Sequence, residues 1–226
     1  MNWQDEGFLL SKIKFRENAN IINVFTINKG RVSGIVYGGT SRKIRNFLQI
    51  SNKIFLIYSS KSENRLGYFK TELVEAISPK YFNDKKKTSA LLSISAILNL
   101  LLPESQPYKN LYISLDALLK NFDQENWIIL YVSWELKLLK ELGFDPFLEQ
   151  FDFEDDGTEK YKNIEIDNIK FQVPFFLLSK KEKTTIENKQ ISMALGFTRS
   201  ILINKFFLPN NLSLPKSRMI LENYFN

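Results

Sequence analysis

The sequence predicts an α+β fold. Five short strands close a small N-terminal barrel, and an α-helical bundle with a small irregular or β insertion follows. Three observations point there. The first 80 residues fall into runs of β-branched and aromatic residues separated by turn signals. After Ser78-Pro79 and the charged run Asp84-Lys85-Lys86-Lys87 the apolar spacing becomes helical. With 44% hydrophobic and 14% aromatic residues, 226 residues can bury a core of one large or two modest domains.

The strands are expected at GFLLSKIKF (7–15), IINVFTI (21–27), RVSGIVYG (31–38), KIFLIYS (53–59) and GYFKTELVEAI (67–77). Turn residues punctuate them: Glu17-Asn18 and Asn20, Asn28-Lys29-Gly30, Ser51-Asn52, and Ser62 to Asn64. Five such strands suit a small barrel of the OB or the SH3-like type. Gly34 and Gly38 within the third strand predict a bulge or the close approach of other backbone. TSRKIRN, after Gly38-Gly39, then projects as a flexible loop with three positive charges.

The helical part begins with Leu91, Leu92, Ile94, Ile97, Leu98 and Leu101, and Pro103 ends that helix. A second helix is expected from Tyr108 to Phe122 and a third from Glu125 to Leu142. The third carries two apolar stripes, Trp127-Leu130-Tyr131-Trp134-Leu138-Leu142 and Ile128-Val132-Leu136-Leu139, so it is central and buried on most sides. Gly143 is its stop signal. Residues 145–186 look irregular except for a hairpin, IEIDNIKFQV (164–173), turning at Asp167-Asn168. Helical patterning returns from Glu187 to Leu208 and again after Pro215. The domain boundary is set near residue 80, giving 1–80 and 81–226.

Composition excludes several chemistries. There is no cysteine and no histidine, which removes disulfides, thiolate sites and the usual general base near neutral pH. Residues 34–41, GIVYGGTS, approach a phosphate-binding loop, but Thr40 stands where its lysine must be and no helical period follows. Asp152, Glu154, Asp156 and Gly157 match the start of a calcium-binding loop, yet Lys160 and Asn163 occupy its ninth and twelfth positions. Asp5-Glu6 and Asp155-Asp156 are adjacent acids that would point in different directions on a strand or loop, and no catalytic role is assigned to them. The N-terminus has no basic leader pattern, and the longest uncharged stretch, Thr88 to Pro103, is shorter than the ~20 apolar residues of a membrane span. A soluble cytoplasmic protein is expected.

The net charge of +6 is uneven. Residues 1–80 hold 13 Lys+Arg against 6 Asp+Glu, a net +7, whereas residues 81–226 hold 18 against 19, a net −1. The chain is rich in Lys, Ile and Asn, a bias that inflates lysine without function, so arginine is the cleaner probe. Five of seven arginines lie in the first 65 residues: Arg16, Arg31, Arg42, Arg45 and Arg65. The expected partner of this half is a polyanion, the alternative being a merely solvated basic surface. Phe15, Phe25, Tyr37, Phe47 and Tyr58 could stack bases wherever they face outward.

The whole chain resembles the bacterial recombination mediator family RecO. DEGFLLSKIKFRENANIINVFTINKGRVSGIVYGG carries the likeness first: Asp5-Glu6-Gly7, Glu17, Thr26, Gly30-Arg31 and the pair Gly38-Gly39, with FLQ (47–49) in register. LLLPE (100–104), YVSWELKLLKELGF (131–144), GFTRSILINKFFL (196–208) and LPKSR (214–218) continue it. The resemblance implies an N-terminal OB fold, a helical bundle and no ATP hydrolysis. It implies a non-enzymatic mediator that binds single- and double-stranded DNA, anneals complementary strands, and acts with RecR, and in many bacteria RecF, to load RecA onto strands coated by single-strand-binding protein (SSB).

On that basis the DNA-binding residues are expected to be Arg31, Arg42, Lys43, Arg45, Lys53 and Arg16. Lys137, Lys140, Arg199 and Lys205 are candidates for the SSB tail, although Ser133 stands where some relatives have arginine. Many relatives carry a zinc-binding cysteine cluster in the region matching 145–186. Lacking Cys and His, this chain is expected to hold no such zinc and no cofactor. The alternative reading is an RNA-binding OB module on a helical scaffold, which would favour RNA through its 2′-hydroxyl.

Overall fold

The computed structural model describes residues 1–39, 41–61, 66–150, 161–178 and 186–226, leaving aside the side chains of Lys43 and Glu149. Five strands form a closed barrel in the order β1-β2-β3-β5-β4: β1 (Asn2–Phe15), β2 (Ala19–Thr26), β3 (Gly30–Tyr37), β4 (Lys53–Ser59) and β5 (Tyr68–Glu75). The fourth strand has the expected bounds. The first begins five residues early, because Asn2 to Phe8 pair with β4 while Gly7 to Phe15 pair with β2. One 14-residue strand can serve two neighbours because its register shifts between Leu9 and Ser11, where a bulge turns it. A parallel pairing, Ile35 with Tyr68, closes the ring between β3 and β5.

The barrel is filled by Leu9, Ile22, Val24, Val32, Val36, Ile54, Leu56 and Phe69, alternate residues of their strands. Gly34 is the close-approach glycine: the Phe69 ring occupies the space its Cβ would need, so the intruder is a side chain rather than backbone. Gly38, at φ +69°, makes the turn that leaves β3.

The segment after that turn corrects the expectation of a projecting flexible loop. Residues Arg42–Phe47 form a helix, α1, whose first turn is capped by Ser41 Oγ accepting from Ile44 N at 3.5 Å. Ile44 and Phe47, three residues apart, pack on the barrel core, and Leu48 behind them is fully buried. Six residues are too few for helical periodicity to show in sequence, and burial against the barrel supplies what the short helix lacks alone.

Ser78–Tyr81 form a 3₁₀ turn, and α2 (Lys85–Leu101) starts at Asp84, whose carboxylate accepts from Lys87 N at 3.0 Å. Its buried side mixes Leu91, Ile94, Ile97 and Leu98 with Ser89, Ser93 and Ser95. Ser51 Oγ meets Leu91 O at 3.2 Å and Ser95 Oγ at 3.0 Å, tying the barrel to that helix. Asn52 Oδ1 accepts from Ile77 N and Ser78 N at 2.9 and 3.0 Å. These ties help place α2, with α3 (Lys109–Lys120), in one compact unit with the barrel: Met1–Leu119 with Pro215–Arg218.

The second compact unit is Lys120–Leu214 with Met219–Asn226. Helix α4 (Trp127–Glu141) buries Trp127, Ile128, Tyr131, Val132, Trp134, Leu138 and Leu139, as its two stripes predict. It ends as expected at Gly143, φ +96°, with Gly143 N donating to Lys140 O and Phe144 N to Leu139 O. The hairpin is present as β6 (Tyr161–Ile166) and β7 (Ile169–Pro174), with Asp167 and Asn168 both at positive φ. It packs on α5 (Asn188–Ile201), Phe171 meeting Phe197 edge-on at 5.1 Å. A π-helical turn, Leu202–Phe207, extends α5, and α6 (Lys216–Asn223) follows Pro215.

Within α4, Glu135 is fully buried between the apolar stripes, which sequence reasoning missed. Tyr131 Oη donates to its Oε1 at 2.7 Å and Thr198 Oγ1 to its Oε2 at 2.6 Å. Among the described residues one run, Asn188–Asn210, is long and apolar enough to cross a membrane, but it carries Lys189, Arg199 and Lys205, and nearly half of its apolar stretch is buried in the fold. The acid-rich segment 152–160, with Asp155-Asp156, and Thr40 of the phosphate-loop likeness lie outside the described residues.

Candidate nucleic-acid interface

Helix α1 presents two faces. Ile44 and Phe47 point into the barrel, so Arg42 and Arg45 are exposed on the other side. Arg45 stands in the last turn, where a cation suits the helix dipole. Lys12 of β1 reaches the same end and donates to Leu48 O at 2.6 Å. Burial, and then the charge of Arg45, hold the Lys12 ammonium below its usual pKa, so these two cations sense one another. Arg16 lies exposed at the β1–β2 turn, its backbone left-handed at φ +56° and its guanidinium 5.1 Å from the Phe15 ring centre.

Of the five aromatic residues proposed for stacking, Tyr37 alone is exposed, at 60%. Phe25 is buried, Phe47 packs on the barrel core, Tyr58 stacks on Trp3 at 4.8 Å, and Phe15 is half-buried under Arg16. Tyr37 has a neighbour that sequence reasoning missed: Tyr68, 41% exposed, with ring centres 6.4 Å apart. The parallel β3–β5 pairing brings the two rings together across 31 residues of sequence. Tyr37 also stands five residues before Arg42, across the Gly38 turn. The outer wall thus offers two aromatic rings and then exposed guanidinium groups, the combination that holds single strands through base faces and phosphates.

The other expected contacts sit differently. Arg31 Nε donates to Leu102 O at 2.7 Å, and Ser105 N donates to Arg31 O at 2.8 Å, latching β3 to the end of α2. Lys53 is drawn into an internal acid cluster, 3.0 Å from Asp116 and 3.8 Å from Glu6. In the second unit, Lys140 pairs with Asp145 at 2.7 Å, Arg199 with Glu222 at 3.4 Å, and Lys205 with Asp167 at 2.5 Å while lying over the Phe144 ring. Lys137 and Ser133 are exposed on α4. Among the described residues no group of three or more histidine, cysteine, aspartate or glutamate side chains could hold a metal ion.

Comparison with known proteins decides the family. A family model described as "Recombination protein O N terminal" matches residues 1–77, and its companion, "Recombination protein O C terminal", matches residues 83–150, together nearly two thirds of the chain. The chain belongs to the RecO family. The closed five-stranded barrel with a helix between β3 and β4 is the OB fold of that family's N-terminus, and the α+β expectation holds.

Relatives named "DNA repair protein RecO" include that of Roseobacter denitrificans, 36% identical over 150 residues, which are 66% of this chain and 62% of the relative. That of Cereibacter sphaeroides is 37% identical over 144 residues, 64% and 60% of the two chains. A Wolbachia relative is 34% identical over 148 residues, 64% and 60%. The matched part spans about 60% of these RecO chains.

Proposed function

We propose that this RecO-family chain is a non-enzymatic mediator of DNA repair and recombination that binds and anneals single-stranded DNA. Residues 1–80 act as the DNA-binding domain and residues 81–226 as the helical partner-binding domain. The observation that carries the reading is the juxtaposition, on one barrel, of the exposed Tyr37–Tyr68 pair and the exposed Arg42 and Arg45 of α1. Bases stack on the rings while Arg42, Lys43 and Arg45, with Arg16 at the β1–β2 turn, neutralise phosphates. Such contacts follow a backbone without reading sequence. Arg31 and Lys53, each engaged with protein groups, contribute through the barrel's rigidity and its overall field.

Annealing follows from electrostatics. Two complementary strands repel along their length, and a basic surface that neutralises several phosphates of one strand lowers the cost of bringing up the second. No bond is made or broken, so neither a nucleotide nor a nucleophile is required. In the cell the chain acts at the nucleoid with RecR, and with RecF where present, to hand SSB-coated strands to RecA. Exposed Lys137, and Lys140, Arg199 and Lys205 once released from their carboxylate partners, are the cations available to an acidic SSB tail.

The test is the annealing rate of complementary DNA strands, bare and SSB-coated, with no nucleotide added. Acceleration on both supports the full mediator reading. Acceleration of bare strands alone keeps DNA annealing and removes the direct SSB contact. No acceleration, together with tighter binding to RNA, overturns the proposal.

A further inference from the structure

A cleft of about 460 Å³ opens in the first unit between β1, β4 and α3, away from the described site residues other than Lys53. Asp5, Glu6, Lys53, Phe55, Tyr112 and Asp116 line it. Three carboxylates therefore face one ammonium, an excess of two negative charges beside a surface otherwise basic. Asp5 is satisfied: its carboxylate accepts from Glu6 N at 2.9 Å and from Asn28 N and Nδ2 at 2.9 and 3.0 Å. Asp116 holds Lys53 at 3.0 Å. Glu6 is different. Its side chain is 46% exposed, and the cation it meets, Lys53, stands 3.8 Å away, beyond hydrogen-bond distance.

A second observation points to a ligand. The Tyr112 hydroxyl, on a residue only 4% exposed, has no hydrogen-bond partner among the described residues. Buried tyrosine hydroxyls ordinarily find one. Burial, then the charges of Asp116, Glu6 and Asp5, push its pKa well above the usual value. The hydroxyl thus stays protonated at neutral pH and lies in a negative potential that favours a cationic donor.

We propose that this cleft receives the guanidinium group of an arginine presented by a partner protein, paired with Glu6 and donating to the Tyr112 hydroxyl. Charge complementarity excludes a nucleic-acid strand, whose phosphates would meet three carboxylates. Among cations, the planar guanidinium is weakly hydrated, lies flat on aromatic walls such as Phe55, and reaches two acceptors through one fork. An ammonium is strongly hydrated and projects as a point charge, and Lys53 already fills that role here. The DNA-binding wall and this protein-binding cleft are lined by different residues, so both can be engaged together.

The experiment is an amide NMR titration of the full chain with the blocked peptide acetyl-Gly-Arg-Gly-amide, against its citrulline counterpart, which keeps the shape without the charge. Shifts should gather at residues 4–6, 53–55 and 112–116, with a Kd in the millimolar range for so small a probe. Glu6→Gln, on a side chain 46% exposed, should raise that Kd at least fivefold. Tyr112→Phe should raise it about threefold. Equal binding of the citrulline peptide, shifts elsewhere, or an unchanged Kd in Glu6→Gln would overturn the proposal. So would spermidine binding the cleft while the arginine peptide does not, since the occupant would then be a free polyamine.

Discussion

Replacing Arg42, Lys43 and Arg45 together with glutamine should flatten the salt dependence of single-strand binding without unfolding the barrel. Binding that neutralises Z phosphates of a single strand makes log affinity fall with log salt at a slope of about −0.7Z. Four contacts, the three α1 cations and Arg16, give a slope of roughly −3, and removing three of them leaves it shallower by about two units. The structure makes this a clean perturbation. Arg42 and Arg45 are exposed, whereas the residues seating α1, Ile44, Phe47 and the Ser41 cap, are untouched. Fluorescence titrations of an oligothymidine between 50 and 300 mM salt would read the slope, with thermal melting as the check on folding. An intact fold and an unchanged slope would refute the reasoning, because it would mean that the cations of α1 do not meet phosphate.

Other expectations follow from the same geometry. Tyr37→Ala and Tyr68→Ala should each weaken oligothymidine binding by about 1–3 kcal/mol while leaving the salt slope unchanged, because stacking releases no counterions. Thr198→Val removes a donor from the fully buried Glu135 and should lower unfolding free energy by ~2 kcal/mol in urea titrations, with no change in DNA affinity. Asp145 titrates below its usual value of 3.8, first because Lys140 hydrogen-bonds it and then because Phe147 N does. Its lowered pKa contributes stability that is complete above the unfolded value and lost as pH falls through the folded one. Asp145→Asn should therefore flatten the loss below about pH 4 by a few tenths of a kcal/mol, the modest size reflecting solvent screening.

How far the sequence was legible depended on whether the deciding interaction was local. β4 is a run of β-branched and aromatic residues after Ser51-Asn52, and both its ends were readable. The Asp167-Asn168 turn announces itself through two residues that tolerate positive φ, and the end of α4 through Gly143, the residue type its φ of +96° requires. Where partners are distant, sequence reasoning falls short. α1 exists because Ile44 and Phe47 find the barrel, not because six residues prefer a helix. The first strand was expected only from Gly7, but it begins at Asn2, and Asn28 satisfies the Asp5 carboxylate in the folded barrel.

The candidate site divides along the same line. Arg42 and Arg45 stood out as a charge cluster and are exposed, so the cluster was legible even though its helix was not. Tyr68 needed the β3–β5 pairing to bring it to Tyr37. Lys53 looked like any other cation of a basic half until Asp116, 63 residues later in the chain, was found beside it. Glu135 was hidden by the apolar stripes around it, its one visible trace being an acid at a position where both stripes leave no solvent face.

The most direct measurement is photocrosslinking of a 5-bromodeoxyuridine oligonucleotide to the full chain, with crosslinked peptides mapped by mass spectrometry. The account predicts that adducts concentrate on Tyr37 and Tyr68 and disappear when both are replaced by alanine. Adducts confined to residues 120–226, or unchanged after that double replacement, would contradict it.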